Sequence, residues 1–334
     1  MTIKDLSAQT GYSVGTISRV LNNQPNVSQK ARETILRAAS ECGFQLNANA
    51  KQLKQQHSNT ILVVVKGTHN ELFASLVERI QAMIAETKYP LIVDYVDEAE
   101  NEVLRAVRLC REKKPLGILF LGGDREHFLA DFQKISMPCV LVTCDASKIP
   151  FDNLSSVSSD DVLAGKTAME HLLSQGHKRV GIIGGPRIHS SMTLERYQGC
   201  EEAFREYGVA FDGEKDYESV RFSFEWGYRA AQQLLKKGRD YTAIFAMADV
   251  LAIGAMRAVQ DAGLRVPEDV SVVGLDGLDI GKYTMPRLTT VCQNVEALAD
   301  RSFRMLLSQI ESQRSAQHEI LPVTMESRES TRKI

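Results

Sequence analysis

The sequence predicts an N-terminal all-α helix-turn-helix domain followed by an α/β body of two doubly wound parallel-sheet subdomains. Three observations predict it. Residues 3–42 carry three short apolar stripes at helical spacing, the first two separated by Gly11. From Thr60 onward, β-branched runs alternate with amphipathic helices, the pattern of parallel sheets wrapped by helices. Residues 1–57 hold seven Lys or Arg against three acids, net +4, while the whole chain is −2, which leaves −6 on the remainder.

The helices follow from local chemistry. Ile3, Leu6 and Ser7 share one face of the first, and Gly11 stands where the backbone leaves it through a left-handed residue. Ser13 supplies an N-cap oxygen to the second, which turns Ile17, Val20 and Leu21 inward and Val14, Gly15, Ser18, Arg19 and Asn22 outward. Ser28 caps a third helix after Pro25, with Ala31, Ile35, Ala38, Ala39 and Cys42 as its buried stripe. Apolar stripes around a glycine turn suit any small three-helix bundle. The charge is the distinguishing feature: a basic end on an acidic body places phosphate affinity on the small domain.

Thr2-Ile3-Lys4-Asp5-Leu6, Gly11, Ser13, Thr16-Ile17-Ser18-Arg19-Val20-Leu21-Asn22, Val27-Ser28, Arg32 and Gly43-Phe44 resemble the DNA-binding domain of the lactose/galactose repressor family of bacteria. The resemblance departs at Ser7, where the family usually has alanine, and at Leu46, where it usually has proline; it continues past residue 60 over nearly the whole chain. It implies that Val14, Gly15 and Arg19 read bases in double-stranded operator DNA, Arg19 being suited to a bidentate guanine contact. Thr16, Ser18 and Asn22 then hold phosphates, and Thr2 and Ser13 complete the DNA-facing set. One such module reads only a few base pairs, so a homodimer on a near-palindromic site is expected.

Residues 45–58 are polar except for alanines, Leu46 and Leu53. A helix of about eight residues is marginal alone in water. The resemblance implies that residues 47–54 order on DNA as a hinge helix in the minor groove. Leu53 is then the apolar wedge, with Ala50 beside it and Asn47 a further DNA contact.

In the body, Ile61–Val65, Leu91–Tyr95, Ile118–Leu121, Val140–Thr143, Val180–Ile183, Ala243–Ala246 and Val270–Gly274 read as strands. A helix from Leu72 to Thr87 places Phe73, Leu76, Val77, Ile80, Met83 and Ile84 on one side, the spacing of a core face. One doubly wound domain needs fewer strands, so two subdomains with a cleft between them are expected, resembling a periplasmic sugar-binding protein. By analogy the chain crosses between them near 157, 291 and 320. The expected organisation is therefore a DNA-binding domain over 1–46, a hinge over 47–58, and an effector-binding and dimerisation domain over 59–334. Within the last, the N subdomain covers about 59–157 and 292–319, and the C subdomain about 158–291 and 320–330.

Enzyme motifs are absent. The runs Gly122-Gly123 and Gly184-Gly185-Pro186 follow strands but lack G-x-G-x-x-G, and no G-x-x-x-x-G-K-[ST] or G-x-S-x-G occurs, so they read as tight turns. His171 and His177 invite a catalytic reading, yet Gly176-His177-Lys178-Arg179 reads as a loop before a strand and matches a family signature. Six cysteines without C-x-x-C spacing read as buried, reduced thiols, with no metal or cofactor expected. No apolar run of about 18 residues and no apolar N-terminal region occurs, so no membrane partner and a cytoplasmic location are expected.

What remains is binding at strand ends, where carboxylates and a guanidinium grip vicinal hydroxyls and an aromatic covers an apolar sugar face. Asp145, Arg196, Asp249 and Asp276 stand at such ends, and Phe73 and Phe222 can give the cover. Asp249 and Asp160 read also as helix N-caps, the commoner role after a strand. The resemblance assigns ligand contacts to Arg196, Asp276 and Asp145, and an effector-dependent loop to His189, Ser190 and Met192. Met192, and Ala248 where sugar binders often have asparagine, remove two polar contacts.

The expected function is a repressor whose operator affinity is controlled by a small carbohydrate or sugar phosphate, gripped by Arg196 from one subdomain and Asp145 from the other. Arg196→Ala is expected to fold normally and lose the response. The alternatives are a corepressor-dependent regulator sensing a purine or other cyclic polar metabolite, and a plain cytoplasmic sugar-binding protein, which would not need the N-terminal domain. Glu326-Ser327-Arg328-Glu329-Ser330 is family-like with no leucine heptad after it, so a dimer rather than a tetramer is expected.

Overall fold

The computed structural model describes residues 3–21, 27–42, 59–67, 70–187, 191–238, 240–312 and 314–334. Two compact units divide the chain, residues 1–57 and 58–334.

In the first unit, α1 (Ile3–Thr10), α2 (Val14–Leu21) and α3 (Gln29–Glu41) close a small core of Leu6, Ile17, Val20, Ile35, Ala38 and Ala39. Gly11 turns the chain out of α1 at φ 72°, its N–H donating to the Ser7 carbonyl at 3.0 Å. That conformation is strained for any residue with a Cβ. Ser13 Oγ accepts from the Thr16 N–H at 3.2 Å and Ser28 Oγ from the Ala31 N–H at 3.3 Å, which caps the next two helices. Cys42, expected in the buried stripe, is instead the half-buried C-cap of α3.

The second unit carries two six-stranded sheets. The first contains β1 (Ile61–Lys66), β2 (Leu91–Val96), β3 (Gly117–Leu121), β4 (Cys139–Val142), β5 (Leu154–Ser159) and β11 (His318–Leu321). The second contains β6 (Val180–Gly184), β7 (Tyr217–Ser219), β8 (Ala243–Ala246), β9 (Ser271–Asp276), β10 (Thr289–Cys292) and β12 (Thr324–Glu326). Their orders, β11-β5-β4-β3-β1-β2 and β12-β10-β9-β8-β6-β7, are the same walk repeated, and all pairs are parallel except β10 with β12. The chain crosses between sheets after Ser159, after Cys292 and after Leu321.

Helices cover both faces, which is why strand sequences run apolar without alternation. Along β1, Ile61, Val63 and Val65 enter one core while Leu62 and Val64 enter another, all fully buried. The covering helices are α4 (Glu71–Ala85), α5 (Glu102–Lys113), α6 (Arg125–Asp131), α7 (Asp161–Ser174), α8 (Ser191–Glu206), α9 (Phe224–Lys236), α10 (Asp249–Asp261) and α11 (Val295–Ser312). None of the described helices is long and apolar enough to cross a membrane. Among the cysteines, Cys139, Cys144 and Cys200 are buried, while Cys42, Cys110 and Cys292 are only half-buried; all six are free.

Candidate functional site

The N-terminal unit presents one face of α2. Ile17 and Val20 are buried, while Val14 at 40% exposure, Gly15 and Arg19 lie on the open side, with Thr16 and Ser18 half-buried beside them. Thr2, Asn22, Asn47, Ala50 and Leu53 lie outside the described residues, and so does Ser190 of the larger unit.

In the larger unit, the C-terminal ends of both sheets' strands face a cleft of about 970 Å³. This is where open α/β sheets bind ligands, because strand ends and helix N-termini converge there. Five of the expected effector residues line it: Phe73, Met192, Arg196, Phe222 and Asp276.

Arg196 is 2% exposed, and its position follows from close helix packing. A Cβ on Gly165 of α7 would lie 1.9 Å from the Arg196 carbonyl oxygen, and one on Gly199 of α8 would lie 2.0 Å from that of Val162. Glycine at both positions lets α7 and α8 touch backbone to backbone. Arg196 Nε then donates to Asp161 Oδ1 at 2.7 Å and one terminal nitrogen to the Met247 carbonyl at 2.7 Å. Burial pushes the Asp161 carboxyl up against the pull of Arg196, while burial works against the guanidinium charge and Asp161 and Asp276 outweigh it. The two tendencies disagree about Asp161. A guanidinium stays charged in a protein, and a neutral partner would leave that charge alone, so the pair is ionic.

Asp276 ends β9 in left-handed backbone at φ 124° and is 3% exposed. Its Oδ1 accepts from Gln293 Nε2 at 2.8 Å, and Gln293 Oε1 accepts from Ser159 Oγ at 2.8 Å, so two crossover segments are tied to a cleft carboxylate. Burial, opposed by Arg196, pushes Asp276 up to about 6.

Two expected contacts do not line the cleft. Asp145 turns into its own loop, accepting from the Ser147 N–H at 2.9 Å, the Ser147 hydroxyl at 2.5 Å and the Ser156 hydroxyl at 3.3 Å. Asp249 is fully buried beneath the crossover: Oδ2 accepts from the Leu278 N–H and Oδ1 from the Thr290 hydroxyl, each at 2.6 Å. It is not the N-cap either, since Ala248 holds that position, whereas Asp160 does cap α7 through the Leu163 N–H at 2.9 Å. Burial and then the charge of Asp276 raise Asp249 to about 8. His171 and His177 lie away from the cleft; His177 bonds the Thr242 hydroxyl and the Arg332 carbonyl, and His171 the Thr331 hydroxyl.

The wall from the first sheet holds groups that sequence reasoning missed. Lys66 at the end of β1 donates to the fully buried Glu102 and to the Glu100 carbonyl at 2.8 Å. Glu102 also takes His127 Nδ1 at 2.9 Å and the Asp124 N–H at 2.7 Å. Thr143, just past β4, adopts φ 74°, is 2% exposed, and its hydroxyl finds no hydrogen-bond partner beyond the adjacent Cys144 thiol, a weak one. Trp226 on α9 lines the rim. Lys66 was findable by the strand-end rule that selected Asp145, and Trp226 is the chain's one tryptophan.

The model for bacterial regulatory proteins of the lacI family matches residues 2–47, and that for a periplasmic binding protein-like domain matches residues 169–331. The HTH-type transcriptional regulator MalR of Clostridium butyricum is 33% identical over 333 residues, 99% of each chain. Among solved structures, a transcriptional regulator CelR–cellobiose complex is 26% identical with a TM-score of 0.73, and covers 99% of both chains. A lac repressor dimer bound to operator and the anti-inducer ONPF is 25% identical with a TM-score of 0.78 and the same coverage. With an exposed helix-turn-helix face in one unit and two like-ordered sheets around a cleft in the other, the chain belongs to the lacI family of bacterial regulatory proteins and is a DNA-binding transcriptional repressor, not an enzyme.

Proposed function

We propose that this repressor acts as a homodimer on a near-palindromic operator, and that a small carbohydrate-like effector in the cleft sets its operator affinity. The observation that carries the reading is the cleft, lined from both sheets by aromatic faces and buried polar groups. A ligand that touches both walls binds the closed cleft better than the open one, and only such differential affinity shifts the equilibrium. Val14, Gly15 and Arg19 read bases, and residues 47–54 order in the minor groove with Leu53 as wedge. Kinship with a protein solved with cellobiose supports a sugar. Phe73, Phe222, Met192 and Ala248 give the cleft flat apolar surface, which favours a purine-like corepressor as the second reading.

Gel shifts on the promoters flanking the protein's own gene, with and without sugars, test this reading. Arg19→Ala is expected to weaken operator binding by about 1–3 kcal/mol while leaving salt-sensitive binding to random DNA nearly intact. Equal loss on both DNAs excludes base reading. Asp276→Asn should keep operator binding and lose the effector response; a full response in that variant places the effector elsewhere.

A further inference from the structure

Among the described residues, five carboxylates line the cleft against three Lys or Arg side chains. Each of those cations is already held by an acid: Arg196 by Asp161, Lys66 by Glu102, and Arg221 by Asp97 at 3.5 Å. His127 turns its Nδ1 to Glu102 as well.

The usual alternative cradle for an anion is a helix N-terminus. Three of those ends direct a cap onto their own helix. Asn70, Asp124 and Ser223 line the cleft, and each spends its side-chain oxygen on its own helix: on the N–H of Leu72 at 3.0 Å, Glu126 at 2.9 Å and Trp226 at 3.3 Å.

The uncommitted groups among the described lining residues are neutral: the rings of Phe73, Phe222 and Trp226, with the Thr143 hydroxyl buried behind the surface. We infer that the effector is an uncharged polyhydroxyl compound and that the cleft rejects its phosphate esters, an inference that rests on the effector reading above. A phosphate would find no unpaired cation among the described lining residues. It would also add like charge beside Glu98 and Asp276, two acids that burial already holds above the ordinary carboxylate range. Hydroxyls meet none of these costs, since they accept from and donate to the same groups without a net charge.

Calorimetric titration of the full-length protein with cellobiose, maltose, glucose and ribose, in parallel with glucose 6-phosphate, ribose 5-phosphate and inorganic phosphate, tests this. At least one neutral sugar binds, and the phosphorylated compounds bind on the order of a hundredfold more weakly or not at all. Glu98→Gln narrows that gap several-fold. A phosphate ester that binds as tightly as the neutral sugars, or inorganic phosphate that binds the cleft, overturns the charge rule and leaves the effector reading standing. If no compound in the panel binds, the saccharide reading itself falls, and this inference with it.

Discussion

The two walls of the cleft share a strand order but not a design. In the wall from the second sheet, Arg196, Asp161, Asp276 and Gln293 are all at most 6% exposed and bonded to one another or to backbone. In the wall from the first sheet, the Lys66 and His127 side chains are 13% and 28% exposed, and the Thr143 hydroxyl is unspent. One wall is set before any ligand arrives; the other keeps capacity for one. A switch needs both, because a fixed wall orients the ligand and the second wall closes on it.

The largest test of this contrast is the stability of the fixed wall. Asp161→Ala leaves the Arg196 guanidinium buried without its partner, and removal of one member of such a pair costs about 3–5 kcal/mol. Arg196→Ala strands Asp161 in the same way, so the burial overturns the expectation that this variant folds normally. Lys66→Met should cost less, about 1–3 kcal/mol, since Glu102 keeps the Asp124 N–H and His127 and the lost ammonium was partly solvated. Urea unfolding of the three variants gives the ranking, and equal losses in both walls would erase the distinction.

A second test is proton linkage, which is largest in the fixed wall and directly beneath it. Asp249 and Asp276 are raised to about 8 and about 6 from an ordinary 3.8. Between these limits the folded protein keeps protons that the unfolded chain releases. The unfolded state therefore binds fewer, and stability falls as pH rises from about 4 through 8, then levels. Asp249→Asn can still accept from the Leu278 N–H, so it should fold and flatten that slope. Thermal unfolding between pH 5.5 and 8.5 reads the effect as several degrees in the unmutated protein. A variant with an unchanged slope would assign the linkage to other groups.

Much of the fold was legible because burial on both faces writes itself as apolar runs, and all seven runs read as strands contain one. The missed strands show the limit. β5 reads Leu-Ser-Ser-Val-Ser-Ser, too polar for a central strand, yet its serines are buried, two of them satisfied by side chains elsewhere: Gln309 Nε2 donates to Ser155 Oγ at 2.9 Å, and Ser159 Oγ to Gln293 at 2.8 Å. Those partners lie over 130 residues away, where no local pattern reaches. Two of the expected cleft residues were misplaced for a related reason. Strand ends mark where a cleft opens, but the chain soon turns away, so Asp145 missed the cleft where Thr143 and Cys144 line it. Asp160 was noted where its neighbour Asp161 holds the arginine.

Thr143 offers the smallest and sharpest test. Its backbone is in left-handed geometry that β-branched residues rarely adopt, held by the N–H donating to the Val157 carbonyl at 2.9 Å and by burial on all sides. Valine has nearly the same shape and the same strain, so Thr143→Val changes one thing, the replacement of a hydroxyl by a methyl. A buried hydroxyl with no good partner destabilises its protein, and its removal should be neutral or stabilising by up to about 1–2 kcal/mol. If the hydroxyl instead serves the ligand, the variant gains this stability when empty and loses affinity when titrated, by roughly tenfold for one neutral hydrogen bond. The opposite signs separate a structural from a binding role in one residue. A variant that is less stable and binds sugar unchanged would show that the hydroxyl has a partner within the fold, and that the first wall is as closed as the second.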